Sequence, residues 1–413
     1  TLQLLQYSLS HSEFYQVIAF HVASVRDKHT RHGVTDWWYR QKQNIFPFNV
    51  KYFDDRLFVA ESLVPELFFP KGTEILHVNG RGPGQMRPLI WPFIAADGYI
   101  QTGRMADLND YFPWYFALFV EETETYTITL RTLSGEELTI DTPGLRDSFA
   151  HLSFQQVLKW KKPSLELQID DALKTAYFGI DDSRSFKDSL EIYFTRIHDH
   201  EVKNLIIDLR GGGGIREEEH TVELFAHLTV EPFRVFDRIE VKSNDASVFD
   251  RDFSYQPYAR SRKEISEKYL DLLVDSGKGY YLWEKESYLG IQEPVANPFS
   301  GVVYILIDGR NYSASTDFTS LAAQQNNIFT IGEETGGEYH SYASGAIFGL
   351  VLPNSKIGIK IPTWKTVLAI EDNDFQQGRG VLPDFYVPLT FQDFMQDRDA
   401  AKELAYELIK IKQ

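Results

Sequence analysis

From about residue 165 onward, apolar strand-like runs alternate with amphipathic helix-like runs, and this alternation limits the fold more than any other feature. KTAYFGI, NLIIDL, GVVYILIDG and NIFTIGEE are near-continuous apolar runs. Between them, SFKDSLEIYFTRIHDHE and EEEHTVELFAHL repeat apolar residues at helical spacing. A strand that is apolar on both faces must be buried on both, so helices have to cover the sheet from two sides. Strand–helix–strand units of this kind build a parallel sheet with right-handed crossovers. In such α/β sheets, functional residues gather at the carboxyl ends of the strands. Two segments fall there: RGGGG, starting at Arg210, and NYSAS, starting at Asn311.

The rest of the chain has a different texture. At 413 residues it is long for a single core, which predicts more than one domain. In HSEFYQVIAFHVASVRDKHT, the residues Phe14, Val17, Ile18, His21, Val22 and Val25 recur at helical spacing. The pattern breaks at RDKHTRHG, with Gly33 as the expected stop, so residues 1–45 read as an N-terminal helical segment. Residues 46–145 read as short strands, FVAESL, TEILHVNG and YTITLRTLSGEELTID, with a hairpin turn at Ser134-Gly135. An aromatic-rich stretch from IWPFIAADG to DYFPWYFALF is expected to carry a helix. Residues 150–413 form the α/β core. Within it, residues 233–298 are charged, tyrosine-rich and irregular, and read as an insertion over the active face, either a surface excursion or a lid.

Composition excludes several classes of function. The net charge of −17 argues against nucleic acid or an anionic membrane as partner, because phosphates are bound by neutralising them with Lys and Arg. The absence of cysteine removes disulfides, zinc–thiolate sites and thiol nucleophiles. No apolar run is long enough to span a bilayer. The chain begins at Thr1 without a methionine, which fits removal of a leader.

Four segments carry candidate chemistry. Ser313 stands where a strand turns into a helix. Backbone N–H groups and the positive end of the helix dipole there stabilise an alkoxide or an oxyanion, although a serine at that place is commonly just an N-cap. The RGGGG turn lacks the Gly-Lys-Ser/Thr of a phosphate loop and the spacing of a dinucleotide fingerprint. It reads either as a tight turn or as a source of oxyanion donors. His29, in RDKHTRH, is a candidate general base or an exposed helix-end histidine. GEETGGEYHSYASG, from Gly332, lies one helix and one strand beyond Ser313 and is placed to form another wall of the same site. No metal constellation is evident: His11, His21, His32 and His340 lack ligand spacing. No cofactor is expected.

Taken together, NLIIDLRGGGG, VVYILIDGRNYSAS, IGEETGG and GRGVLPDFYVP, in that order, resemble the signatures of the tail-specific (carboxyl-terminal-processing) and tricorn-like serine peptidases. TEILHVNG resembles a degenerate PDZ-type element, and VRDKHT resembles the D-x-H-T segment of the tricorn-like branch. The resemblance implies a ClpP/crotonase-like α/β core preceded by a PDZ-like domain. It also implies Ser313 as nucleophile, with oxyanion donors from the N–H of Ala314 and from Gly212 or Gly213. The TGG turn, Thr335, Gly336 and Gly337, is expected to contact substrate. Glu338 stands where the tail-specific branch has its catalytic lysine, so the resemblance points to the histidine-using branch, with His29 as base and Glu371, or next Asp372, as its supporting acid. A peptide or unfolded-protein substrate and a bacterial periplasmic or cell-surface location follow as expectations. The rival readings are a non-catalytic binding protein that kept the fold and an esterase or amidase acting on a small substrate.

Overall fold

The computed structural model describes residues 8–33, 44–64, 66–146, 166–180, 186–211, 215, 218–244, 272–284, 287–370 and 376–412. Six strands form the expected sheet, in the order Phe385–Tyr386, Ile328–Gly332, Val302–Ile307, Asn204–Asp208, Thr175–Gly179 and Glu166–Asp170. All neighbours run parallel except the last pair. The helices Phe186–Asp199 and Ala314–Ala322 are crossovers between successive parallel strands. The continuous apolar texture has its physical cause in two-sided burial. Leu205 and Ile207 face a core shared with Leu190, Phe194, Leu224 and Phe318. Ile206, between them, faces Ala401, Ala405 and Ile409 of the C-terminal helix Ala400–Ile411.

A second core lies in the region expected to be a separate domain. The strands Phe48–Phe53, Arg56–Ser62, Glu74–Val78, Thr125–Arg131 and Glu137–Pro143 form an antiparallel sheet in sequence order. Its hairpin turns at Ser134-Gly135, where Gly135 takes a φ of 87°. The aromatic-rich stretch carries the expected helix, Thr102–Tyr115, preceded by the helix Pro83–Ile90, and packs Phe112, Trp114 and Phe116 beneath the sheet. The N-terminal helix His11–Ser24 starts at a reciprocal capping box between Ser10 and Glu13 and adds Tyr15 and Ala19 to this second core.

Two expectations need correction. The N-terminal helix stops at Ser24 rather than near Gly33, because the chain turns left-handed at Arg26, with a φ of 60°. Residues Arg31–Gly33 then form a strand against Gly358–Leu368. The short segment between helix and strand, which carries His29, is thereby anchored at both ends. The region 233–298 is also more than a surface excursion. Phe236–Val241 pairs with Gly358–Leu368 and, on its other side, with Tyr281–Trp283. Phe236, Ile239 and Trp283 are part of the main core. Alternation along 236–241 is broken by the adjacent polar pair Asp237 and Arg238, where the register also shifts, which hid the strand.

Two half-buried histidines make stability depend on pH. Desolvation pushes His32 down to about 4 against the opposing pull of the Phe93 carbonyl, and pushes His227 down to about 4 with help from His198. Between about pH 4 and 6.5 the unfolded chain therefore binds more protons than the folded one, so stability falls as pH falls through that window. Thermal unfolding followed across this range is expected to show a declining Tm. His227, whose ring stacks on Phe194 at 4.2 Å, supplies the control: His227→Leu is expected to have a shallower decline. An unchanged slope would contradict the assignment.

Candidate active site

The turn at Ser313 is built by its neighbours. Val302–Ile307 ends at Asp308, and Asn311 then pins the chain. The Asn311 Oδ1 accepts from the Asp308 N–H at 2.7 Å, and its Nδ2 donates to the Leu209 carbonyl and the Ser315 Oγ, both at 2.9 Å. The Thr316 hydroxyl donates back to the Asn311 carbonyl at 3.0 Å. Held this way, Ser313 takes φ 53° and ψ −134°, a conformation L-residues rarely adopt, at the head of Ala314–Ala322. Its hydroxyl makes no capping hydrogen bond, so the N-cap alternative does not describe what this side chain does. A strand–turn–helix with a strained serine at its apex is the geometry of a nucleophile elbow. Ser315, by contrast, is buried and satisfied by Asn311.

Leu209 and Gly211, at the start of the RGGGG segment, lie beside this turn. Asp308 Oδ2 accepts from the Gly211 N–H at 3.2 Å, and Asn311 reaches the Leu209 carbonyl. Arg210 is structural: it pairs with Asp208 and Asp399, each through two hydrogen bonds of 2.7–2.9 Å. Gly212 and Gly213, the expected oxyanion donors, lie outside the described residues, as do Glu371 and Asp372.

The segment VRDKHT packs against the same turn from the opposite end of the chain. The His29 ring stacks on Tyr342 with centroids 5.5 Å apart, and the Tyr342 hydroxyl donates to Asp317 Oδ2, in the first turn after Ser313, at 2.8 Å. Lys28 pairs with Asp107 on Thr102–Tyr115, and its ammonium lies 5.1 Å from the ring centroid of Tyr312. Burial pushes the Lys28 ammonium below the usual lysine range although Asp107 opposes it. His29 and Lys28 thus contact the residues around Ser313 through two separate routes.

Two carboxylates without an expected role stand at His29. Asp27 folds the segment on itself: its Oδ1 accepts from the His29 N–H at 3.0 Å and its Oδ2 from the Thr30 N–H at 2.8 Å and the Thr30 hydroxyl. Burial works to raise the Asp27 carboxyl, but the hydrogen bonds from His29 and Thr30 prevail and hold it below the usual range. Asp97 comes from the ADG turn and is 2% exposed. Its Oδ1 accepts from the Lys28 N–H at 2.6 Å, and burial raises its carboxyl above the usual range. Asp27, His29 and Asp97 offer ligand-type atoms within 4.8 Å of one another. Asp27 was visible in the D-x-H-T segment. Asp97 carried no local signal, since it reaches His29 only through tertiary packing.

The two later signatures clamp each other. Glu334 holds Arg379 through hydrogen bonds of 2.7 and 2.8 Å and accepts from the Gly380 N–H at 2.9 Å. The Thr335 hydroxyl accepts from the Val381 N–H at 2.8 Å and donates to the Gly337 carbonyl. Thr335, Gly336 and Gly337, expected to contact substrate, are all buried, packed against the Ser313 turn. The Gly337 N–H donates to the Asn311 carbonyl at 2.8 Å, and a Cβ on Gly336 would stand 2.2 Å from the Gly309 carbonyl oxygen. These residues brace the turn from below. Glu338, in the lysine's expected place, accepts from the Gly378 N–H at 3.0 Å, and burial raises its carboxyl.

The profile of Peptidase family S41 matches residues 174–387, more than half of the chain, and the chain belongs to this family of serine-type peptidases. Three similar solved structures are a point mutant of CPAF, mature CPAF in complex with lactacystin, and mature CPAF. The mutant is 14% identical, with a TM-score of 0.66 over 99% of this chain and 90% of that one. The lactacystin complex is 16% identical, with a TM-score of 0.65 over 97% and 88%. Mature CPAF is 15% identical, with a TM-score of 0.61 over 99% and 89%. At these identities the likeness is one of fold. The chain matches no curated protein sequence.

The strain at Ser313 gives a test independent of activity. Ser313→Gly is expected to be more stable than Ser313→Ala by about 1 kcal/mol, because only glycine adopts positive φ without steric cost. Equal melting temperatures for the two variants would mean that the turn is unstrained. Gly336→Ala is expected to destabilise the protein by roughly 1–3 kcal/mol, since the added methyl meets backbone that has nowhere to move. Chemical denaturation measures both.

Proposed function

We propose that the protein is an endopeptidase that cleaves peptide bonds through an acyl-enzyme on Ser313, with His29 as general base and acid. His29 takes the Ser313 proton as the hydroxyl oxygen attacks the carbonyl carbon, then delivers it to the leaving amine. Water, deprotonated by the same imidazole, releases the acyl group and restores the serine. The N–H of Ala314, at the head of the helix, and a backbone donor from Gly212 or Gly213 would hold the oxyanion. Glu371 is proposed as the supporting acid from the late part of the chain, while Asp27 and Asp97 set the electrostatic surroundings of His29 from its own side. Glu338, engaged by Gly378, leaves histidine in preference to a lysine dyad.

The observation that carries this reading is the Ser313 backbone, strained at φ 53° with its hydroxyl free of capping duty, beside a segment that brings His29 in from a distant part of the sequence. The antiparallel sheet ends in Glu137–Pro143, which is paired on one side only among the described residues and mostly exposed. We propose that an extended peptide adds to this edge as a further strand, in the manner of a PDZ-like element.

With an unfolded protein or a fluorogenic peptide as substrate, Ser313→Ala is expected to abolish turnover. His29→Ala is expected to lower kcat/KM by about 10²–10⁴-fold, the usual contribution of a general base. Hydrolysis unchanged in Ser313→Ala would overturn the nucleophile assignment, and full activity in His29→Ala would overturn the base.

A further inference from the structure

We propose that Asp27, His29 and Asp97 form a zinc-binding site through which Zn²⁺ reversibly inhibits the enzyme. The inhibitory part of this inference rests on His29 being the base. The site itself rests on geometry alone.

Three observations carry it. The three side chains place one ligand-type atom each within 4.8 Å of one another, and His29 Nδ1 lies 3.7 Å from Asp27 Oδ1. Zinc bonds to nitrogen and oxygen of roughly 2.0–2.2 Å put adjacent tetrahedral ligands roughly 3.4 Å apart, so the existing spacing needs only a small adjustment. Second, Asp97 is 2% exposed, and its Oδ2 has no hydrogen-bond partner among the described residues. His29 Nδ1 likewise has no hydrogen-bond partner among the described residues, so the cluster holds one imidazole nitrogen and one carboxylate oxygen whose bonding capacity is unused. Third, two carboxylates this close repel each other in a poorly solvated pocket, and a divalent cation removes that repulsion.

The donor set selects the ion. One imidazole and two carboxylates, with the fourth position open to water, suit zinc, whereas calcium takes six to eight oxygens and magnesium a near-octahedral oxygen shell. The segment is already shaped for ligation: Asp27 fixes the His29 and Thr30 backbone, and Asp97 is fixed through the Lys28 N–H. With zinc on Nδ1, the imidazole gives up its role as a proton acceptor, and hydrolysis stops until a chelator withdraws the ion.

The test uses the full chain carrying Ser313→Ala, which keeps the ligands and prevents self-digestion. Isothermal titration with zinc chloride is expected to show one site per chain. In the same background, Asp97→Asn and His29→Gln are each expected to weaken binding by at least the roughly tenfold that loss of an outer-shell partner costs. Far-UV circular dichroism checks that both variants fold, and two chemically different substitutions keep one misfolded variant from deciding the matter. In active protein, zinc is expected to inhibit and EDTA to restore peptide hydrolysis. No binding, or binding unchanged in both variants, overturns the site. If zinc binds as expected while hydrolysis is independent of His29, the site stands and the base assignment fails. If hydrolysis depends on His29 but zinc neither binds nor inhibits, the catalytic reading stands and the zinc site fails.

Discussion

The arrangement depends on one run of half-buried charge, Asp110–Arg310–Asp308. Arg310 reaches Asp110 on the helix Thr102–Tyr115 through hydrogen bonds of 2.6 and 2.8 Å. Asp308 accepts from the Arg310 N–H at 2.8 Å and from the Gly211 N–H at 3.2 Å. Three pieces that no local sequence relation joins, the chain at Gly211, the Ser313 turn and the antiparallel module, are thereby fastened at one point. Lys51 of Phe48–Phe53 joins this group through Asp110 at 3.8 Å, and burial, with Arg310 nearby, pushes its ammonium down to about 8. A partly desolvated charge group of this kind is a weak source of net stability, because desolvation offsets much of the Coulombic gain. Its consequence is positional: removing one member leaves its partners charged and unpaired, so the elements cannot drift apart cheaply.

Strain and support are divided around Ser313 in the same spirit. The conformation at φ 53° costs free energy and persists because Asn311, Thr316 and the buried TGG turn over-determine it. The TGG and GRG signatures occur together for a mechanical reason: Glu334 and Thr335 hold Arg379, Gly380 and Val381, and together they close the space beneath the turn. Gly98, at a φ of 49°, brings the ADG turn against Gly378 and so links this brace to the His29 segment.

Much of the fold was legible in the sequence because its strongest signals are local. Continuous apolar strands such as Val302–Ile307 are written in consecutive residues, as is the turn that follows. The hairpin at Ser134-Gly135 was readable for the same reason. What escaped depends on distant partners. Arg26 ends the N-terminal helix by taking a left-handed conformation that nothing in RDKHT dictates. Phe236–Val241 is a strand because Gly358–Leu368 offers it a partner. Asp97 becomes part of the His29 environment only once the ADG turn packs on VRDKHT, and the bracing contacts of the TGG residues likewise come from tertiary packing. Ser313 was legible as a candidate, but its backbone angles and the lack of a capping hydrogen bond emerge only from the tertiary structure.

The central claim is that a strained Ser313 is activated by a histidine delivered from the other end of the chain. Its most direct measurement is covalent labelling with a fluorophosphonate, followed by intact mass and peptide mapping, on the wild type and on His29→Ala. The account predicts one adduct per chain, located on Ser313, forming much more slowly in His29→Ala. A label on another residue, or labelling of Ser313 at the same rate without His29, would contradict it.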